Sequence, residues 1–84
     1  MRKLAVLLSG SGRTLDNFHQ RIRAGALRAE IQVVVSNVAS ALGLEKARRY
    51  GYPACHATSD AELNRILAGY DIDLIALAGY LKLY

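Results

Sequence analysis

The sequence predicts an α/β fold with a doubly wound parallel sheet of about four strands and helices on both faces. Three observations predict it. Short apolar runs alternate with stretches of helical periodicity along the 84 residues. The apolar runs are continuous, which is typical of strands covered on both faces. A glycine-rich turn at 9–14 joins the first run to the first helical stretch. We expect a single domain over 1–84.

The predicted element order is βαβαβαβ. Strands are expected at 3–9, 31–36, 53–56 and 72–78, and helices at 15–24, 41–50 and 60–68. Glycines at 25, 51 and 69 follow the helices as C-caps, and residues 59–62 have a capping-box pattern. Pro53 favours an edge position for the third strand. These features favour the Rossmann-like strand order 3-2-1-4, which places ligands beyond the carboxyl ends of the first and fourth strands.

The hydropathy pattern argues against a membrane protein. All apolar runs are far shorter than the roughly 20 residues that cross a bilayer. Arg2 and Lys3 precede a short apolar run, but residues 9–12 interrupt it and no signal-peptide cleavage site follows. We therefore expect a cytoplasmic protein.

Cysteine, histidine and charge patterns narrow the function classes further. Cys55 is the single cysteine, and neither His19 nor His56 has a partner at metal-binding spacing, so we expect no metal. Eleven basic and seven acidic residues give a net charge of +4. The basic residues are spread over the chain, and their densest clusters, at 21–23 and 46–49, lie at helical spacing without the interleaved aromatics of RNA-binding surfaces. Solvated helix faces are the favoured interpretation, and nucleic-acid binding is a minor alternative.

The turn Gly10, Ser11, Gly12, Arg13 and Thr14 is the candidate binding site. A strand, a tight turn and a helix start direct backbone N–H groups and the helix dipole to one point, which suits an anion. The arginine and the hydroxyls add hydrogen-bond donors. The alternative is that the glycines only make a tight turn.

The turn lacks the signatures of larger nucleotide sites. A dinucleotide fingerprint needs a third glycine where Leu15 stands and an acidic residue where 36–37 lie, and a nucleoside-triphosphate loop needs a lysine where Arg13 stands. A single phosphate, as on a sugar phosphate or mononucleotide, remains. Gly79 and Lys82 follow the fourth strand and are expected at the same crevice, although Gly79 alone also fits a simple bend.

Four blocks of sequence occur together in order. They are LLSGSGRTL at 7–15, VSN at 35–37, GLEKA at 43–47 and DLIALAGYLKL at 73–83. Together they resemble the N-terminal part of the glycinamide ribonucleotide formyltransferases. These enzymes of purine synthesis transfer a formyl group from 10-formyltetrahydrofolate to the amine of a phosphoribosyl glycinamide. Other formyltransferases and hydrolases of this fold differ in the first loop and are weaker matches.

The resemblance implies roles for two segments of this chain, of which the first is the glycine-rich turn. Gly12, Arg13 and Thr14 match the positions that hold the substrate phosphate, in a loop that also contains Gly10 and Ser11. We expect the ligand to be a phosphoribosyl small molecule.

The second implied segment follows the fourth strand. Leu81, Lys82, Leu83 and Tyr84 match the start of the folate-binding segment, and Gly79 with Leu81 would lie against the glycinamide arm. The family commonly has arginine at 82 and an aliphatic residue at 84, so the folate contacts depart from its pattern. The cosubstrate implied is 10-formyltetrahydrofolate.

The resemblance also implies that the catalytic residues lie elsewhere. The family's catalytic Asn, His and Asp follow the segment where this chain stops, so we assign no catalytic residue and do not expect the chain alone to be competent. His19 and His56 are interpreted as structural or surface residues. Asp71 and Asp73 precede the fourth strand, at the end of the sheet away from the crevice, and are interpreted as loop carboxylates.

The apolar fourth strand predicts association. An isolated copy would expose an edge with Leu74, Ile75 and Leu77, which favours pairing with a second chain. We expect a homo-oligomer through this edge, or a complementing C-terminal polypeptide. Three functional hypotheses follow: a formyltransferase part that holds the phosphoribosyl site, a stand-alone phosphate or mononucleotide module, and an assembly unit without a ligand.

Overall fold

The structure is a computed structural model that describes residues 2–8, 12–38, 42–77 and, as backbone, 80–83. Within these residues the strands are β1 (Arg2–Leu8), β2 (Ala29–Ser36), β3 (Ala54–His56), β4 (Leu74–Leu77) and β5 (Tyr80–Leu83). The helices are α1 (Arg13–Arg23), α2 (Leu42–Tyr50) and α3 (Asp60–Ala68). Across this part of the chain, no helix is long and apolar enough to cross a membrane.

The strands form one sheet in the order β3-β2-β1-β4-β5. The first four strands are parallel to one another, so the predicted order 3-2-1-4 is confirmed. The proline prediction is also confirmed, because β3 lies at one edge of the sheet. Pro53, which has no N–H to donate, contributes its carbonyl oxygen to the sheet by accepting from the Val34 N–H at 2.8 Å.

The far side of β4 is covered, contrary to the prediction. β5 pairs antiparallel with β4, with Leu74 opposite Leu83 and Leu77 opposite Tyr80. An antiparallel neighbour needs only a short connection, whereas a parallel fifth strand would need a crossover of about a dozen residues or more. The premise of an uncovered β4 edge is therefore wrong, and the expected oligomer draws no support from it.

The helix ends largely follow the sequence signals. Gly25 and Gly51 have left-handed φ angles of 77° and 90° after α1 and α2, while Gly69 ends α3 at a right-handed φ of −80°. The Ser59 hydroxyl accepts from the Glu62 N–H at 3.2 Å, as a capping box predicts. The Glu62 carboxylate, however, accepts from the N–H of residue 58 rather than 59.

Two apolar clusters lie on opposite faces of the sheet. One contains buried residues of α1 and α2, and the other contains buried residues of α3. A bulge in β2 adjusts its fit to both. Leu4 of β1 pairs with Ile31 but the next residue pairs with Val33, so Gln32 is an extra residue. Ile31 and Val34 consequently face the first cluster, and Val33 faces the second.

Candidate functional site

A cleft of about 580 Å³ lies at the carboxyl ends of β1, β2 and β4. Leu7 and Leu77 line its apolar floor from the two central strands, and α1 begins at its wall. Its position agrees with the rule that ligands bind beyond the carboxyl ends of parallel strands, where the strand order reverses.

The structure brings the described part of the predicted turn to this cleft. Gly12, Arg13 and Thr14 all line it. Gly12 is the N-cap of α1, and no side chain among the described residues caps its first turn, so the first-turn N–H groups can donate to an external acceptor. Arg13 is exposed and Thr14 is half-buried. Gly10 and Ser11 lie outside the described residues.

Gly12 is held by a close backbone contact as well as by its conformation. Its φ is +83°, and a Cβ placed on it would lie 2.6 Å from the Cα of Gly43 in α2. A Cβ on Gly43 would in turn lie 3.0 Å from the Cα of Gly12 and 2.7 Å from a methyl group of Leu8. The beginnings of α1 and α2 therefore touch through two glycines. The start of α1 is thus held against α2 at Gly12, and only glycine at these two positions permits so short a distance.

The predicted folate segment is described only in part. Leu81, Lys82 and Leu83 lie on β5, where Lys82 is opposite Ile75, and Gly79 lies outside the described residues. The roles proposed for this segment stay predictions. Tyr84 likewise lies outside the described residues.

Polar and aromatic side chains connect α1 to α2 and to the start of the segment before β3. We call Asp16, His19, Lys46, Tyr50 and Tyr52 the α1–α2 cluster. The Asp16 carboxylate accepts from Lys46 Nζ and from the Tyr50 hydroxyl, each at 2.6 Å. The His19 ring stacks on Tyr50 with centroids 3.7 Å apart, and its Nδ1 shares a 2.6 Å hydrogen bond with the Tyr52 hydroxyl.

These contacts shift the protonation of the cluster. The hydrogen bonds from Lys46 and Tyr50 lower the pKa of the Asp16 carboxyl, and the bond to Asp16 raises the pKa of Tyr50. Burial, with a smaller contribution from Arg23, lowers the pKa of His19. The cluster therefore favours an ionised Asp16 beside a neutral His19.

Stability should fall in acid because of this carboxylate. The pKa of Asp16 in the folded chain is below its ordinary value of 3.8, so the stability it contributes is complete above that value and is lost as the pH falls through the folded pKa. Chemical denaturation from about pH 6 to about pH 3 measures the loss. We expect Asp16→Asn to remove part of the pH dependence, and an unchanged slope would contradict this assignment.

Asp71, Asp73 and His56 are not among the described residues that line the cleft. The Asp73 carboxylate accepts from the Lys3 N–H at 2.9 Å, and Asp71 pairs with Lys3 Nζ at 2.6 Å. Both aspartates thus lie at the amino ends of β1 and β4, as predicted. Nε2 of His56 lies 3.3 Å from the Asn37 carbonyl oxygen. In the part of the chain that the structure describes, no three His, Cys, Asp or Glu residues are grouped to hold a metal ion.

Sequence reasoning missed one wall of the cleft and the residues that support the turn. Ser36, Asn37 and the start of α3 at 58–60 also line the cleft. The signal was present, because parallel strands end at one edge of the sheet and β2 and β3 end there with polar residues. Lys46 and Gly43 belong to a block that carried the resemblance, but spacing alone gave no reason for their chemistry.

Comparison with known proteins shows the family to which this chain belongs. A profile described as formyl transferase matches residues 2–84. The chain belongs to the formyl transferase family. The profile and the relatives described next together confirm the resemblance inferred from the four sequence blocks. The parallel strand order is that of the N-terminal part of these formyl transferases.

Several individual relatives agree. The chain is 34% identical over 92 residues to phosphoribosylglycinamide formyltransferase of Haemophilus influenzae, covering 99% of this chain and 43% of the relative. It is 35% identical over 89 residues to the chloroplastic enzyme of Glycine max, covering 99% and 30%. The crystal structure of glycinamide ribonucleotide transformylase 1 from Symbiobacterium toebii superposes with a TM-score of 0.85 at 38% identity, covering 98% and 43%. This formyl transferase chain spans less than half the length of these relatives.

Proposed function

We propose that this chain supplies the phosphate-binding part of a site for formyl transfer to glycinamide ribonucleotide in cytoplasmic purine biosynthesis. The observation that carries the proposal is the cleft itself, in which the start of α1, Arg13 and Thr14 converge in a member of the formyl transferase family. Relatives named phosphoribosylglycinamide formyltransferase support the choice of substrate.

The chemistry of the turn fits a phosphate monoester. First-turn N–H groups and the helix dipole favour an anion at this point. The Arg13 guanidinium can donate two parallel hydrogen bonds to phosphate oxygens, and the Thr14 hydroxyl can donate a third. The cleft, with a volume of about 580 Å³ and with Ser36 and Asn37 also in its lining, has room for a sugar as well as a phosphate.

Formyl transfer itself requires further groups. The substrate amine attacks the formyl carbon of 10-formyltetrahydrofolate, so an oxyanion stabiliser and a base must lie beside that carbon. We propose that a complementing C-terminal polypeptide provides them, as the resemblance implies, and that residues 79–84 contribute to the folate side. This chain then binds and orients the phosphoribosyl substrate. Association of two copies is a separate hypothesis, tested by sedimentation at high micromolar concentration.

Arg13→Ala should weaken binding of glycinamide ribonucleotide by about 1.5 to 3 kcal/mol, because a charge-assisted hydrogen bond is lost. The measurement is a titration that follows the backbone amide shifts of residues 12–14, with inorganic phosphate at equal ionic strength as the reference ligand. Arg23→Ala is the matched control, since it removes the same charge at the opposite end of α1. Equal affinity in the wild type and Arg13→Ala would exclude the role of Arg13.

The same titration separates the proposed function from the phosphate-module alternative. Tighter binding of glycinamide ribonucleotide than of phosphate supports a retained substrate site. Equal binding of both supports a general phosphate or mononucleotide module. No saturable shift with either ligand would leave the turn as a purely architectural feature.

A further inference from the structure

The first turn of α1 carries a negative charge close to the proposed anion site. Asp16 follows Gly12 by four residues, about one helical turn or 6 Å along the axis, and its N–H donates to the Gly12 carbonyl at 2.9 Å. An acidic side chain in the first turn stabilises a helix through the dipole. The same charge opposes a phosphate bound at that terminus, so the turn needs a compensating cation.

Lys46 of α2 is placed to compensate. Its Nζ lies 2.6 Å from Asp16 Oδ2, and the two side chains are 25% and 28% exposed. The partial burial weakens solvent screening of the pair. The Lys46 stem also packs beside the turn, with its Cδ 3.4 Å from the position that a Cβ on Gly12 would occupy. Lys46 is not among the described residues that line the cleft, so an effect of Lys46 on a bound anion would be electrostatic and would involve Asp16 rather than direct contact.

We propose that Lys46 is a positioning residue of the phosphate site, which neutralises Asp16 so that the start of α1 presents a net positive field to the ligand. This inference rests on the proposed function, because it concerns the same anion site. A residue of α2 thereby affects the affinity of the anion site at the start of α1.

Tyr50 provides an internal comparison. Its hydroxyl donates to Asp16 Oδ1 at 2.6 Å, the same length as the bond from Lys46 to the other oxygen. Lys46 and Tyr50 are four residues apart on α2 and reach the same carboxylate. Removing either side-chain donor costs Asp16 one hydrogen bond, but only removal of Lys46 leaves its charge unbalanced. A role in packing alone would make the two substitutions alike in their effect on ligand affinity.

The experiment measures the dissociation constant of inorganic phosphate at low ionic strength for matched variants of the full chain, together with the melting temperature of each. Lys46→Met keeps the stem and should weaken binding about fivefold to tenfold, because an unpaired carboxylate then lies about one helical turn from the anion. Tyr50→Phe should change affinity by less than about twofold, and Lys46→Arg should retain it. The effect of Lys46→Met should shrink toward 1 M salt, where the Debye length is about 3 Å.

A double substitution gives the decisive arm. Asp16→Asn combined with Lys46→Met removes both charges and should restore affinity to within about twofold of the wild type. Weak binding by the double variant, or equal losses in Lys46→Met and Tyr50→Phe, would overturn the inference while the phosphate site stands. Absence of phosphate and glycinamide ribonucleotide binding by the wild type would instead overturn the proposed function, and this inference with it.

Discussion

Replacing Phe18 by alanine is expected to lower the free energy of unfolding by about 3 to 5 kcal/mol. The ring is 1% exposed in the cluster between α1 and the sheet, with the Arg21 guanidinium 5.9 Å from its centroid. A chain of this length has a total stability of about 4 to 13 kcal/mol. The substitution should therefore remove a large fraction of that stability, measured as the shift in the urea midpoint.

Two further variants keep this prediction testable if the alanine variant does not fold. Phe18→Leu retains much of the volume and should cost about 1 to 2 kcal/mol. Gln20→Ala changes an exposed position of the same helix and should cost less than about 0.5 kcal/mol. Similar losses for Phe18→Leu and Gln20→Ala would contradict the placement of the ring in the core.

Gly12→Ala should destabilise the fold by about 2 to 5 kcal/mol and disturb the phosphate turn. A left-handed φ costs a residue with a Cβ about 1 to 2 kcal/mol, and overpacking adds about 1 to 3 kcal/mol. The overpacking arises because the new Cβ would lie 2.6 Å from the backbone of Gly43, which cannot rotate away as a flexible side chain can. Thermal unfolding and phosphate titration measure the two effects.

Gly25→Ala separates the two costs of that substitution. Its φ is +77°, close to that of Gly12, but nothing lies within 4 Å of the position of a Cβ. We expect it to cost about 1 to 2 kcal/mol and to leave phosphate affinity unchanged. The difference between the two variants isolates the contact between α1 and α2. Equal losses in stability would show that the contact relaxes freely.

The fold followed from local signals that tertiary structure did not overrule. Continuous apolar runs located the four parallel strands, and Pro53 placed β3 at the edge. The fifth strand was missed because residues 80–83 are too few for periodicity to distinguish a strand from a loop. They were interpreted instead as part of the folate-binding segment. Pairing with β4, rather than intrinsic preference, decides their conformation.

Only the part of the candidate site that lies within one continuous segment was predicted from the sequence. The turn at 10–14 predicts an anion site because its glycines, arginine and hydroxyls are contiguous in the sequence. The contact between Gly12 and Gly43, and the bond between Asp16 and Lys46, each join residues about 30 positions apart. No local pattern encodes such pairs, since they depend on how α1 and α2 pack against the same face of the sheet.

Gln32 is an extra residue in β2 relative to its partner β1. Even-numbered and odd-numbered side chains therefore exchange faces of the sheet part-way along the strand. A substitution in β2 changes the packing around one side chain, and the neighbouring side chains can adapt to the new volume. Loss or gain of one residue between Ala29 and Ser36 would instead turn half of the strand inside out. The length of β2, eight residues, is therefore a stricter requirement of this fold than the identity of any one of its exposed side chains.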